Sequence, residues 1–181
     1  MGEACAMMDR IPSIACLIAV GVALTACVAY ELQPTPPPTG DRPTFTSTVL
    51  SVTDGDTLTV LSNGARVKIR LTGIDCPESD QLFGSQAMQL TTQLALEEAV
   101  TVTDFGRDKH RRLLGEVVLP DGRLLNRELV REGFCWWYQK YAPFNTEMEQ
   151  LEKSARKTKN SLWADPQPVL SWEWRRLWRS S

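Results

Sequence analysis

Between residues 44 and 72 two tight-turn signals, Asp54-Gly55-Asp56 and Asn63-Gly64, cut the chain into three strand-length pieces. Thr44–Val52 is rich in β-branched residues and Thr57–Leu61 follows the first turn; such side chains crowd a helix but pack well on a pleated surface. Asn-Gly supplies the positive φ angles of a two-residue hairpin, so Ala65–Thr72 folds back on the strand before it. There Val67, Ile69 and Leu71 alternate with Arg66, Lys68 and Arg70, giving one buried face and one face of three cations. A helix is expected from about Ser85 to Glu98, with Ala87, Leu90 and Leu94 at helical spacing, then strands at Val100–Thr103 and Leu113–Leu119. Beyond the Asp121-Gly122 turn a short helix runs from Asn126 as N-cap to Gly133 as stop. A last helix opens on a Thr146/Glu149 capping box, with Met148, Leu151, Ala155 and Leu162 on one apolar face. Five short strands with helices between and after them predict a mainly β fold with α. The expected form is a five-stranded oligonucleotide-binding barrel packed by about three helices.

The barrel does not begin at the N-terminus. Arg10 precedes an uncharged apolar run from Ile11 to Ala26, shorter than the roughly 20 residues of a spanning helix. A positive start, a short apolar core and small residues at its end read as an export signal over residues 1–26, an uncleaved membrane helix being the alternative. Leu24-Thr25-Ala26-Cys27 resembles the lipobox of bacterial lipoproteins, whose cysteine is acylated. An exported, membrane-anchored chain is expected on that ground, with Cys27 lipidated and several acyl chains holding more firmly than one. Residues 27–43 form a tether: four of the five residues from Pro34 to Pro38 are proline, which favours extended polyproline conformation with no core. Residues 44–164 make the domain, and residues 165–181 a tryptophan- and arginine-rich tail.

The net charge of −2 offers no global attraction for a polyanion, so any nucleic-acid site has to be a local cluster of cations or a bound metal. With one histidine, His110, and no CxxC pair, a zinc site is excluded. Cys5 and Cys16 fall in the signal and Cys27 takes the lipid, which leaves Cys76 and Cys135. Export would permit a disulfide, but two cysteines alone do not establish proximity, and the pairing stays open.

Two clusters carry chemistry. Asp54, Asp56, Asp75 and Glu78 stand at the ends of neighbouring strands, and carboxylates crowd together only where something cationic holds them. A hard cation with oxygen ligands would do so. Asp-Gly-Asp alone is equally a turn, and Asp75 before Cys-Pro equally a strand terminator. The second cluster is Arg107-Asp108-Lys109-His110-Arg111-Arg112 in the loop before Leu113. Together with Arg70 it offers guanidiniums that grip phosphate bidentately, beside a metal that polarises a phosphoryl oxygen.

Asp54–Thr57, Arg70, the run Asp75-Cys76-Pro77-Glu78, and Asp108 to Arg112 resemble the staphylococcal nuclease family. So do Asn126-Arg127-Glu128-Leu129-Val130 with Gly133, Trp136-Trp137-Tyr138 with Tyr141, and Leu162-Trp163. The resemblance covers roughly Thr44 to Ala164. It implies an oligonucleotide-binding barrel with three helices and a monomeric, calcium-dependent nuclease. DNA and RNA would be cut to 3′-phosphates, single-stranded or locally unpaired strands being preferred. By the same resemblance Asp56, Asp75 and the backbone carbonyl of Cys76 would hold Ca²⁺, with Asp54 one step further from the ion. Glu78 would orient or deprotonate the attacking water, and Arg70 and Arg112 would clasp the scissile phosphate. Lys109, Tyr138 and Tyr141 would contact substrate.

The loop departs from the family pattern Asp-x-Tyr-Gly-Arg: His110 stands for the tyrosine and Arg111 for the glycine. Glycine reaches backbone angles that arginine resists. The tail Trp172-Glu173-Trp174-Arg175-Arg176-Leu177-Trp178-Arg179 is expected to be a strap over an apolar patch. Interleaved tryptophan and arginine also suit base stacking or a membrane interface. Two rival readings are a catalytically inactive nucleic-acid-binding barrel and a structural surface lipoprotein. The first would lack the acidic residues present here, and the second leaves the site unexplained.

Overall fold

The computed structural model describes residues 42–178. The export signal, Cys27 and most of the tether lie outside these residues. β1 (Thr44–Asp54), β2 (Thr57–Ser62) and β3 (Ala65–Leu71) form an antiparallel meander in which Val60 faces Val67 and Thr57 faces Arg70. β4 (Ile74–Asp75) is a two-residue strand, and α1 (Gly84–Ala95) follows it. β5 (Ala99–Arg107) and β6 (Leu113–Val118) complete a closed barrel in the order β1-β2-β3-β6-β5. Closure needs β1 to pair with both β2 and β5, and register shifts near Val49–Ser51 and Val52–Asp54 bend it to do so. The one parallel pairing, β3 with β6, sets Arg70 beside Leu114. Val49, Leu58, Val60, Ile69, Val102 and Val117 are fully buried in the core.

α2 (Leu125–Arg131) packs on β6 and α1, and α3 (Thr146–Thr158) packs on α2. Between them β7 (Trp136–Trp137) pairs antiparallel with β4. A 3-10 turn at Ser161–Ala164 leads to α4 (Ser171–Trp178). The described residues thus carry four helices rather than about three, because the tail expected as a strap is itself helical.

Local boundaries differ from expectation where tertiary hydrogen bonds intervene. α1 stops at Ala95, short of Glu98, because the Glu97 N–H and the Glu98 carbonyl bond to Val49 of β1 instead of continuing the helix. β5 runs on past Thr103 to Arg107. Asn126 is not a cap but a buried residue of α2. Its amide donates to the Thr72 carbonyl at 2.9 Å and accepts from the Val117 N–H at 3.2 Å, pinning the helix to the barrel. Thr146 is the first residue of α3 rather than its cap; Asn145 caps it, accepting from the Met148 N–H at 3.0 Å.

Candidate active site

The meander and the β4 strand bring residues far apart in sequence to one end of the barrel. Arg70, at the end of β3, lies between two carboxylates: Nη1 is 2.6 Å from Asp56 Oδ2 and Nη2 is 2.5 Å from Asp75 Oδ1. The Asp75 side chain is completely buried, which only a paired carboxylate tolerates. Asp56 also accepts from the Thr57 hydroxyl at 3.1 Å and from the Cys76 N–H at 2.8 Å, and Asp54 accepts from the Asp56 N–H at 3.2 Å. Asp54-Gly55-Asp56 is therefore both a turn and a platform of carboxylates. Its glycine is required by close approach: a Cβ on Gly55 would sit 2.8 Å from Ala87 Cβ and 2.8 Å from Cys76 Cβ.

Glu78 is engaged by a residue that sequence reasoning missed. Arg175 of α4 places Nη1 2.5 Å from Glu78 Oε1 and Nη2 2.6 Å from Asp75 Oδ2. Four residues earlier, the buried Ser171 hydroxyl donates to the Cys76 carbonyl at 2.6 Å. The tryptophan–arginine alternation of the tail was visible, but no local spacing links residue 175 to residues 75 and 78.

The basic loop stands apart from this cluster. Arg112 is paired with Asp108 at 2.8 Å rather than with a site carboxylate. It lies two residues before Leu114, the parallel partner of Arg70, just outside β6. Burial alone would raise the Asp108 carboxyl, but hydrogen bonds from Arg112 and from the His110 N–H outweigh it and hold the group below its usual range. Arg111 takes a φ of 65°, in the left-handed region that glycine reaches without strain. Lys109 and His110 are exposed. Tyr138 is half-buried, stacked on Trp172 at 4.9 Å with an interplanar angle of 10°, and meets Tyr141 edge-on at 4.9 Å. Tyr141 is mostly exposed.

The donor chemistry fits a hard cation. Asp56 and Asp75 flank Arg70, Asp75 and Glu78 meet Arg175, and Asp54 sits beside Asp56, leaving negative charge in excess. Burial and the neighbouring Asp56 push Asp54 up to about 7. Burial also raises Asp75, opposed by Arg175 and Arg70. Among the described residues no group of three or more such side chains is arranged about an ion position. An ionised carboxylate offers about four lone-pair sites, and Asp75 uses its own on the guanidiniums of Arg70 and Arg175.

The closed, helix-packed barrel is of the oligonucleotide-binding type. The chain belongs to the staphylococcal nuclease homologue family, whose model matches residues 68–165 and so takes in Arg70, Asp75, Glu78 and Arg112. It is 41% identical over 129 residues to an uncharacterized endonuclease of Escherichia coli O157:H7, covering 70% of this chain and 82% of that one. A micrococcal nuclease of Shigella flexneri is 38% identical over 141 residues, 73% of this chain and 81% of its own. An uncharacterized endonuclease of Haemophilus influenzae is 30% identical over 171 residues, 94% of this chain and 88% of its own.

Proposed function

We propose that this protein is a calcium-dependent nuclease. It hydrolyses phosphodiester bonds of DNA and RNA to 3′-phosphate products, and works outside the cytoplasm on a lipid anchor at Cys27. The observation that carries the reading is the bridging of Asp56 and Asp75 by Arg70 at the end of an oligonucleotide-binding barrel. The nuclease relatives support hydrolytic chemistry on nucleic acids.

Asp56, Asp75 and the Cys76 carbonyl would hold the ion, with Asp54 behind Asp56. Bound there, calcium would supply positive charge that polarises the phosphoryl oxygen. Glu78 orients water and accepts its proton as the oxygen attacks phosphorus. The bond from phosphorus to the 5′ oxygen breaks, that oxygen leaves as a hydroxyl with a proton from solvent, and the phosphate stays on the 3′ side. Arg70 and Arg112 neutralise charge that grows on the five-coordinate phosphorus. Lys109, Tyr138 and Tyr141 would line the approach of the strand.

The Cys76–Cys135 disulfide supports an oxidising compartment. The deciding assay is cleavage of single-stranded DNA and RNA by the purified protein with Ca²⁺ and with EDTA. Activity that needs Ca²⁺ and leaves 3′-phosphates is expected, whereas full activity in EDTA defeats the metal assignment.

A further inference from the structure

The tail lies past the end of the family match at residue 165, yet its polar groups converge on the stretch from Asp75 to Gln81. Ser171 donates to the Cys76 carbonyl, and Gln81 Nε2 donates to the Val169 carbonyl at 2.5 Å. The Trp174 indole N–H donates to Asp80 at 3.3 Å, and Arg175 reaches Asp75 and Glu78. Polar groups taken from water need partners, and those of the tail find theirs on the stretch that carries Asp75 and Glu78. Trp172 anchors the segment, stacked on Tyr138 and edge-on to Trp136 at 6.4 Å.

Glu78 stands at the middle of this arrangement. Its carboxylate is partly exposed, and a glutamate left in water samples several rotamers, of which few place a base against a bound phosphate. Arg175 removes that freedom. A guanidinium is a rigid planar fork, so one prong on Glu78 and the other on the buried Asp75 set the spacing of the two carboxylates.

We propose that Arg175 is a positioning residue of the active site, holding the Glu78 carboxylate at a set distance from Asp75, so that α4 completes the site the barrel begins. The inference rests on the nuclease reading above and concerns how its base is held.

The test uses the full chain as wild type, R175Q, R175K, E78Q and the R175Q/E78Q double variant. Steady-state cleavage of single-stranded DNA is measured alongside Ca²⁺ titration by calorimetry. R175Q is expected to lower kcat about tenfold or more while KM moves less than about threefold. R175K keeps the charge of the buried pair, and so the fold, and falls between the two because one ammonium cannot span both carboxylates. In the E78Q background R175Q costs little further, because the group it positions is already gone. Ca²⁺ still binds R175Q by calorimetry. An R175Q kcat equal to wild type overturns the inference. So do losses that multiply in the double variant, loss of Ca²⁺ binding in R175K, or a raised kcat with tighter Ca²⁺, which would make α4 an obstruction. Wild type inactive in Ca²⁺ removes the nuclease reading and this inference with it; active wild type with an equally active R175Q removes the inference alone.

Discussion

Cys76 and Cys135 are joined by a disulfide that adds a rung to the β4–β7 ladder, in which Ile74 faces Trp137 and Asp75 faces Trp136. Two-residue strands have little strength of their own, and this pair carries Asp75. The covalent link holds in place the backbone whose carbonyl would face the cation.

Removing that link is expected to loosen both fold and site. A Cys76→Ser/Cys135→Ser variant should lose about 2–5 kcal/mol, the usual cost of breaking a native bridge in a small domain. Urea unfolding of the variant beside the oxidised wild type measures it. Coincident curves would mean that the ladder stands without the bond.

Glu78→Gln keeps size and hydrogen bonding but cannot accept the proton of water. We expect kcat to fall by about 10²–10⁴ while Ca²⁺ still binds by calorimetry. A variant within a factor of two or so of wild type would remove Glu78 from the base role.

Arg111 holds a φ of 65° in a loop where Asp108 accepts from the N–H groups of His110 and Arg112. A side chain in the left-handed region costs about 1 kcal/mol, which glycine does not incur. Arg111→Gly should therefore raise the unfolding free energy by up to about 1 kcal/mol and leave the Arg112–Asp108 pair intact. A lower melting temperature would show that the Arg111 side chain contributes more than its backbone loses.

Gly55→Ala introduces a Cβ 2.8 Å from both Ala87 and Cys76. Neither neighbour is a flexible side-chain end, so α1 or the backbone at Cys76 has to move. Overpacking of this kind costs about 1–3 kcal/mol, and cleavage should drop with it because Cys76 adjoins Asp75. Calorimetric melting with an activity assay on the same sample reads both; an unchanged melting point would contradict the close packing.

Glu152 gives a pH signature remote from the cluster. Burial raises its carboxyl above the ordinary 4.5, opposed by Arg156 and the Trp137 N–H. A folded-state pKa above the unfolded one contributes stability that is full below the unfolded value and lost as pH rises through the folded value. Glu152→Gln keeps an oxygen for the Trp137 N–H and carries no charge to desolvate. Its stability relative to wild type should therefore grow as pH rises above about 4.5. Unfolding curves at several pH values whose difference stays flat would reject this.

The strands of the first half were readable because Asn63-Gly64 and the alternation of Val67, Ile69 and Leu71 are local signals whose period matches the pleat. The candidate site was readable for a different reason: Asp56, Arg70, Asp75 and Glu78 resemble a known constellation, and the barrel then brought the first three into contact. Asn126 misled because a residue type that caps helices also serves as a buried cross-link, and only its neighbours decide which.

By itself the sequence determined the barrel's strands, the hairpin register and the acidic and basic residues of the site, all of which follow from local period, turn chemistry and residue type. Tertiary structure alone decided that Cys76 meets Cys135, that Glu97 and Glu98 join β1 rather than α1, and that Arg175 meets Glu78. Those contacts join residues whose separation along the chain leaves no periodic trace. They exist because closing the barrel and folding back the tail leave buried polar groups that have to find partners where the packing puts them.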